Sequence, residues 1–291
     1  MIISCPNFHC FDRKKNNNCS KDGFYFRPSD GRKIQRFKCK SCKKRFSKAT
    51  FDLAYRQNKR RVNHKLKLLL CSGVSMRRSA KILKVHRTTI ARKLRFLGLK
   101  ARKSHQKFQE SLRDKKVEHV QFDDLLTIEH TKCKPLSVSA AVDKQGRKIL
   151  ALCVSSMPAF GHLAAFSRKK YGKREDLRLQ GLDHLFSQLK GIVDKNAIFS
   201  TDDHKLYPQF VKKYFPEAEH LRYKGGRGCV AGQGELKKLY FDPLFSINHT
   251  FAMLRANINR LIRKSWCTTK DPERLKDHLF IYLDYHNTQL V

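Results

Sequence analysis

Four cysteines near the start of the chain have the residue type and the spacing of a zinc site. Cys39 and Cys42 are separated by two residues, the spacing of a zinc knuckle, and Cys5 and Cys10 form a second, wider pair. Two such pairs supply the four thiolates that a tetrahedral zinc ion requires. We therefore predict a structural Zn²⁺ bound by these four side chains.

The segment that carries these cysteines, residues 1–50, contains too little apolar surface to fold on a hydrophobic core alone. Metal binding would supply the missing stability, and Asp30-Gly31 predicts a hairpin turn between two aromatic-rich strands. Cys19 and His9 lie in the same segment and are further ligand candidates, so the spacing alone leaves the ligand set open. We predict a zinc ribbon over residues 1–50.

Two pairs of aspartates follow strand-like runs later in the chain. The alternating run 117–122 leads into Asp123 and Asp124, and a second apolar run leads into Asp202 and Asp203. Carboxylates that converge from neighbouring strands are ligands for hard cations, and paired cations of this kind catalyse phosphoryl transfer. Asp also begins turns and caps helices, which is an alternative role for Asp203, so one pair alone is a weak signal.

Residues 73–102 have the pattern of a helix-turn-helix. Ser75 is a helix-capping residue, a short turn follows, and a second helix begins at Arg87 and is predicted to end at Gly98. A helix over residues 62–71 would complete a three-helix core, so we predict a DNA-binding domain over residues 51–103. Its second helix would face the major groove with four polar or basic side chains: Arg87, Thr88, Thr89 and Arg92.

The remaining sequence alternates apolar, strand-like runs with longer helical stretches, a pattern typical of an α/β domain. The charged stretch 104–116 is predicted to be a linker, which places the α/β domain at residues 117–291. Strands are predicted at 136–142, 148–155 and 197–201, and helices at 177–193 and 251–264.

The charge of the chain indicates a polyanionic partner. Lys and Arg number 63 against 25 acidic residues, for a formal net charge of +38. Residues 1–118 hold 35 basic and 7 acidic residues, so 35 − 7 = +28 of this charge lies there. Binding to nucleic acid would neutralise such a surface and release counterions. A ribosomal-type basic protein would explain the charge but not the motifs.

A membrane partner is not expected, because the sequence has no long apolar run and no signal peptide. We therefore expect a cytoplasmic, nucleoid-associated protein of bacterial type. In that reducing compartment, the cysteines outside the ribbon are expected to be buried thiols instead of disulfides.

Taken together, these motifs resemble transposases of the insertion-sequence-one type and their relatives. The resemblance covers most of the chain: the CKSC ribbon, the helix-turn-helix, the strand with Asp123, the block STDDHKLYP and the C-terminal block LRANINRLIRKSW. It implies an RNase H-like α/β domain in which the first and fourth strands lie side by side. It also implies that Asp123 and Asp202 are the first two members of a DDE triad that binds Mg²⁺ or Mn²⁺, with Asp124 and Asp203 less essential.

The third member of the triad departs from the family pattern. The family's glutamate lies seven residues before the arginine matched by Arg255, and this chain has Asn248 there. The resemblance extends to groups with Asn in this role, and an amide oxygen can ligate Mg²⁺ without adding charge. Glu235, in the segment GRGCVAGQGELKK, is the alternative ligand. We expect Asn248 to act, and the basic residues Arg255 and Arg263 to face DNA.

The sequence thus predicts a transposase that binds the terminal repeats of a mobile element and cuts and joins DNA. Two element ends must react together, so a homodimer or larger assembly is expected. The main alternative is a transposase-derived regulator that binds DNA without catalysis. A third interpretation, an RNA-binding translation factor, accounts for the charge and the zinc site but not for the paired aspartates.

Overall fold

The computed structural model describes residues 3–28, 31–224, 242–262 and 266–291. The chain divides into two compact units, Met1–Lys65 and Leu66–Val291. The first carries a small antiparallel sheet and a cluster of four cysteines, and the second is a mixed α/β structure.

The sheet of the first unit has three strands in the order β1-β2-β3: Cys19–Arg27, Arg32–Cys39 and Arg45–Ser47. A 3-10 turn, Lys48–Phe51, follows β3. The predicted hairpin is present, and Gly31 has a φ of 66° at its turn. Its predicted neighbour in the turn, Asp30, lies outside the described residues.

Three helices follow: α1 (Val62–Leu70), α2 (Met76–Ile82) and α3 (Arg87–Ser111). The backbone N–H of Arg78 donates a hydrogen bond of 3.3 Å to Ser75 Oγ, so Ser75 caps α2 as predicted. A tight turn joins α2 to α3, and Lys84 in this turn has a φ of 49°. Two short-linked helices therefore occupy the predicted helix-turn-helix segment.

The second unit contains a five-stranded sheet in the order β6-β5-β4-β7-β8. Strand β4 is antiparallel to β5 and parallel to β7, so the sheet is mixed. The strands are β4 (Val117–Ile128), β5 (Pro135–Asp143), β6 (Ile149–Ser156), β7 (Val193–Asp202) and β8 (Glu219–Tyr223). Helices α4 (Leu163–Tyr171), α5 (Arg178–Leu189), α6 (Tyr207–Tyr214), α7 (Phe245–Asn257) and α8 (Pro272–Tyr285) complete the unit.

Two hydrophobic cores cover the two faces of this sheet. On one face, Phe122 and Phe199 pack against rings of α5 and α6, including Phe186. On the other face, strand residues pack against α3, α7 and α8, and against the ends of α1 and α2. The helix-turn-helix therefore shares a core with the sheet, whereas the sequence predicted a separate domain over residues 51–103.

Helix α3 is longer than the sequence predicts, and Gly98 does not end it. Gly98 lies inside α3 at its crossing with α8, where a Cβ would lie 2.9 Å from Asp277 Cα. The glycine is required by this close approach of two helices and not by a helix end. Both Arg102 and Arg274 form ion pairs with Asp277 at the same crossing.

The predicted linker, residues 104–116, is helical as far as Ser111. Although this stretch is mostly polar, one face of the helix is buried, and His105 lies on that face. Gln109 Nε2 also donates a hydrogen bond of 3.0 Å to the carbonyl of Leu150. These contacts with residues distant in the sequence explain why α3 continues.

Two other predicted boundaries are wrong. Strand β4 does not end at Phe122 but runs to Ile128, because its second half pairs with β5 and buries Leu125. The helix predicted over residues 251–264 ends at Asn257, whose carbonyl accepts a hydrogen bond of 2.7 Å from the N–H of Gly73. Across the described residues, no helix has the length and apolarity to span a membrane.

Candidate metal sites and nucleic-acid surface

The four predicted zinc ligands come together in the first unit. The Sγ atoms of Cys5 and Cys42 are 3.5 Å apart, and those of Cys10 and Cys39 are 3.8 Å apart. All four sulfur atoms lie within 4.8 Å of one another. Tetrahedral Zn–S bonds of about 2.3 Å place sulfur atoms about 3.8 Å apart, so the cluster has the dimensions of a zinc site.

Local backbone geometry orients these thiols. Cys39 ends β2, and Lys43 adopts a φ of 58° directly after Cys42, in a turn closed by a hydrogen bond of 3.0 Å from the N–H of Cys39 to the carbonyl of Lys44. The backbone N–H of Lys44 lowers the pKa of Cys42 to about 6, whereas burial raises the pKa of Cys5 to about 12. A bound cation would remove the protons from all four sulfur atoms.

The structure also decides between the ligand candidates that spacing left open. Cys19 begins β1 opposite Cys39, but it is not part of the four-sulfur group. His9 is exposed and lies outside that group as well. The described residues therefore assign the site to two Cys pairs.

Asp123 and Asp202 lie on adjacent parallel strands. Phe122 of β4 pairs with Thr201 of β7, so the two aspartates occupy the next pair of positions. Opposite positions of neighbouring strands direct their side chains to the same face of a sheet. Burial raises the pKa of Asp123 to about 7, and the charge of Asp202 adds to this increase.

The neighbouring acids have different roles. The N–H of Asp124 donates a hydrogen bond of 2.6 Å to Asp123 Oδ1, and the Asp124 carboxyl itself is directed to the opposite face of the sheet. Asp202 Oδ1 accepts a hydrogen bond of 3.1 Å from the N–H of His204. Asp203 forms a half-exposed ion pair with Arg222, so the turn after β7 is capped by Asp202 instead of Asp203.

Asn248 lies in the first turn of α7, on the face of β4 that carries Asp123. Gln121 fixes this position, because its side chain donates to the Pro243 carbonyl at 2.7 Å and accepts from the N–H of Ile247 at 2.9 Å. Gln121 and Asp123 are two residues apart in one strand and therefore share a face.

A carboxylate that sequence analysis missed lies beside Asn248. Asn248 Nδ2 donates a hydrogen bond of 2.9 Å to Asp242 Oδ2, and Asp242 Oδ1 accepts one of 3.0 Å from the N–H of Leu244. With its N–H₂ group directed to Asp242, the Asn248 side chain retains its carbonyl oxygen as an acceptor. Asp-Pro just before an apolar helical run was the available signal, since Asp commonly begins a helix.

Within the described residues, only the four cysteines form a group of three or more His, Cys, Asp or Glu ligands around one point. In that part of the chain, Asp123 and Asp202 have no third such ligand around them. Glu235, the alternative third ligand, lies outside the described residues.

The predicted DNA-reading residues lie at the start of α3. Arg87, Thr88 and Arg92 are exposed and Thr89 is half-buried, while Ile90 packs in the core. His86 caps the helix, since its Nδ1 accepts a hydrogen bond of 3.4 Å from the N–H of Thr88.

In its described part, the structure does not expose either of the two basic residues that were predicted to face DNA farther along the chain. Arg255 lies half-buried in the last turn of α7. Arg263 lies outside the described residues. The first turn of α3 is therefore the part of the predicted DNA-facing set that the structure exposes.

Comparison with known proteins adds no family. No model of a protein family matches the chain, and no curated protein matches it.

Proposed function

We propose that this protein is a metal-dependent DNA strand transferase of the insertion-sequence-one transposase type. The observation that carries the proposal is the position of Asp123 and Asp202, which directly follow the paired residues Phe122 of β4 and Thr201 of β7. Two part-buried carboxylates on adjacent strands favour a divalent cation, because a cation offsets the burial and the repulsion by Asp202 that raise the pKa of Asp123.

The order of the strands supports an RNase H-like interpretation of the second unit. Strand β4 is the first strand of the five-stranded sheet and β7 is the fourth, and these two are neighbours. This is the arrangement expected from the resemblance, in which the first and fourth strands carry the metal ligands.

In the proposed reaction, Asp123 and Asp202 would hold Mg²⁺ or Mn²⁺, and Asn248 would add its carbonyl oxygen, oriented by Asp242. The metal ions would activate the attacking oxygen and stabilise the departing one. Water attacks a phosphodiester phosphorus and the 3′ oxygen leaves, which frees a 3′-hydroxyl. That hydroxyl then attacks a phosphodiester of target DNA and displaces the 3′ oxygen of the target strand, with no covalent enzyme intermediate.

The remaining parts of the molecule fit DNA as the substrate. The zinc ribbon and the first turn of α3 would bind the ends of the element. The net charge of +38 favours a phosphate backbone, and two ends acting together call for a homodimer or larger assembly.

A second candidate is a DNA-binding regulator derived from such a transposase. One observation favours it: the described residues provide no third acidic or histidine ligand around Asp123 and Asp202. This protein would retain the DNA-binding surfaces and lack chemistry.

The deciding experiment is strand cleavage of labelled duplexes that flank the protein's own coding sequence, with Mg²⁺, Mn²⁺ or chelator. Asp123→Asn and Asp202→Asn should abolish cleavage and leave DNA binding intact, while Asp203→Asn, the matched control, should cleave normally. Asp242→Asn and Asn248→Ala should slow cleavage, and Glu235→Ala tests the alternative ligand. DNA binding without cleavage by the wild type in either metal would favour the regulator.

A further inference from the structure

A basic groove in the second unit is not explained by the carboxylate pair. It has a volume of about 1110 Å³, and its walls come from the start of α2, the start of α3 and residues on both sides of the start of α8. This exceeds the roughly 300–1,000 Å³ of a small-molecule pocket, so the groove has room for a stretch of polymer. Six cationic side chains line it: Arg77, Arg78, Arg87, Arg260, Lys270 and Arg274.

The charge of the groove is poorly balanced by the protein. Asp271 is its one acidic lining residue in the described part of the chain, and Asp271 already pairs with Arg274. Arg260 donates to Thr269 Oγ1 at 3.1 Å and to Met76 Sδ at 3.7 Å, and neither partner carries a charge. A guanidinium has five N–H donors, so Arg260 keeps donors for an anionic ligand.

The groove also contains the single tryptophan of the chain. Trp266 is 79% exposed, although a tryptophan normally buries most of its large apolar surface. Its segment is held in place, because the Thr269 carbonyl accepts a hydrogen bond of 2.8 Å from the N–H of His130. Thr269 itself is buried.

An exposed indole among cations matches one kind of ligand. Cations neutralise phosphates, and an aromatic side chain stacks on a base that is not already stacked within a duplex. Inside duplex DNA the base faces are covered by their neighbours, so an indole reaches them only where strands separate. The cationic lining disfavours a neutral or basic peptide.

We propose that this groove binds unpaired DNA, with phosphates on its arginines and a base stacked on Trp266. Arg87 belongs both to the groove and to the first turn of α3. A strand leaving the duplex at α3 would therefore enter the groove directly. The inference rests on the proposed function in taking DNA as the ligand, but it requires no catalysis.

The test uses the full-length protein without added Mg²⁺ or Mn²⁺ and follows the fluorescence of Trp266, its sole tryptophan. Single-stranded oligo-dT should quench this fluorescence saturably, and a blunt duplex of equal length should quench it much less. Heparin should compete for the cations without comparable quenching, because it has no bases. Absence of quenching by oligo-dT would overturn the proposal, as would stronger quenching by polyglutamate, which would assign the groove to an acidic protein.

Variants separate stacking from charge. Because these variants lack the tryptophan signal, their affinity is measured by the fluorescence anisotropy of dye-labelled oligo-dT. Trp266→Ala should weaken binding of oligo-dT about 5- to 150-fold, the equivalent of one stacked base, and Trp266→Phe should retain most of it. Phe160→Ala, at an aromatic side chain that is exposed elsewhere in the unit, is the matched control. Lys270→Gln should weaken binding more than Lys190→Gln, at the exposed residue that follows α5. Equal affinity of wild type and Trp266→Ala would refute the stacking role.

The proposed strand transferase and the proposed groove for unpaired DNA can be refuted independently of each other. Quenching by oligo-dT in a protein that never cleaves DNA would refute the transferase and leave the groove assignment intact. Cleavage that is unchanged in Trp266→Ala, combined with no quenching, would refute only the groove assignment.

Discussion

At the level of single residues, the surroundings of Asp123 disfavour the ionised form of its carboxyl group. Burial and the adjacent Asp202 both disfavour its ionised form and raise its pKa from 3.8 to about 7. A group with this shift lowers the stability of the metal-free protein at neutral pH. Such a cost is typical of a site whose purpose is to bind a cation.

The sign of this effect gives a first prediction. Between about pH 4 and 7 the folded protein holds a proton on Asp123 that the unfolded chain has lost, so the contribution of this group to the free energy of unfolding falls as pH rises. Asp123→Asn removes this penalty and should stabilise the protein by about 1–3 kcal/mol at pH 8, with little change at pH 4. Urea unfolding without added Mg²⁺ or Mn²⁺, followed by circular dichroism, measures both values.

Asp203→Asn is the matched control for this prediction. Asp203 follows β7 directly and forms a surface ion pair with Arg222. Its loss should change stability by less than about 1 kcal/mol, because exposed ion pairs contribute little. An Asp123→Asn protein whose stability relative to the wild type is the same at pH 4 and at pH 8 would contradict the raised pKa of Asp123.

At the level of elements, the ribbon of the first unit depends on its cysteines. Its largest buried groups besides a few aromatic rings are thiols, so a metal ion would hold the strands together. We predict that the full-length protein contains about one Zn²⁺ per chain. Metal analysis should show its loss in Cys42→Ser and its retention in Cys19→Ser, because only Cys42 belongs to the four-sulfur group. Loss in both variants would mean that Cys19 is also a ligand.

A second prediction at this level concerns the crossing of α3 and α8. Alanine is normally favoured over glycine in a helix by about 1 kcal/mol. At Gly98, however, an added Cβ would meet Asp277 Cβ at 2.8 Å and Asp277 Cα at 2.9 Å. We therefore expect Gly98→Ala to destabilise the protein by about 1–3 kcal/mol, as overpacking does. Thermal unfolding beside Lys100→Ala, on the exposed side of α3, tests this; a stabilised Gly98→Ala protein would refute the close contact.

The same elements show which features can be predicted from sequence. The four-cysteine group, the Ser75 cap and the two aspartate-bearing strands were predictable because their signals lie within a few neighbouring residues. The length of α3 was not, since Gly98 and Gln109 are explained by contacts with Asp277 and Leu150. Partners so distant in the sequence leave no local pattern.

The residues of the candidate carboxylate site also include some that could be predicted from the sequence and one that could not. Asp123 and Asp202 were found because each follows an apolar run, and parallel pairing then brings them together. Asp242 was missed because its relation to Asn248 depends on how α7 starts over Gln121. That start is fixed by tertiary hydrogen bonds, which neither alternation nor spacing encodes.

At the level of the whole molecule, the proposed binding to DNA would depend mainly on charge. With a net charge of +38, many side chains would share the phosphate contacts, so most of the affinity should be electrostatic and independent of sequence. Sequence preference must then come from a few residues that reach base edges, and Arg87 at the exposed start of α3 is the best placed of them.

The difference between phosphate contacts and base contacts gives the final prediction. Affinity for any duplex should fall by about 10³–10⁵ between 50 and 200 mM salt, as expected for six to ten phosphate contacts. Arg92→Gln should reduce the slope of log K against log salt by about 0.9 on every sequence, the loss of one phosphate contact. Arg87→Ala should instead cost about 1–3 kcal/mol on the preferred sequence and less on random DNA. Lys190→Gln, at the exposed residue that follows α5, should leave both quantities unchanged. If Arg87→Ala weakens binding equally on both kinds of DNA, Arg87 contacts phosphate and the reading of bases belongs to another residue.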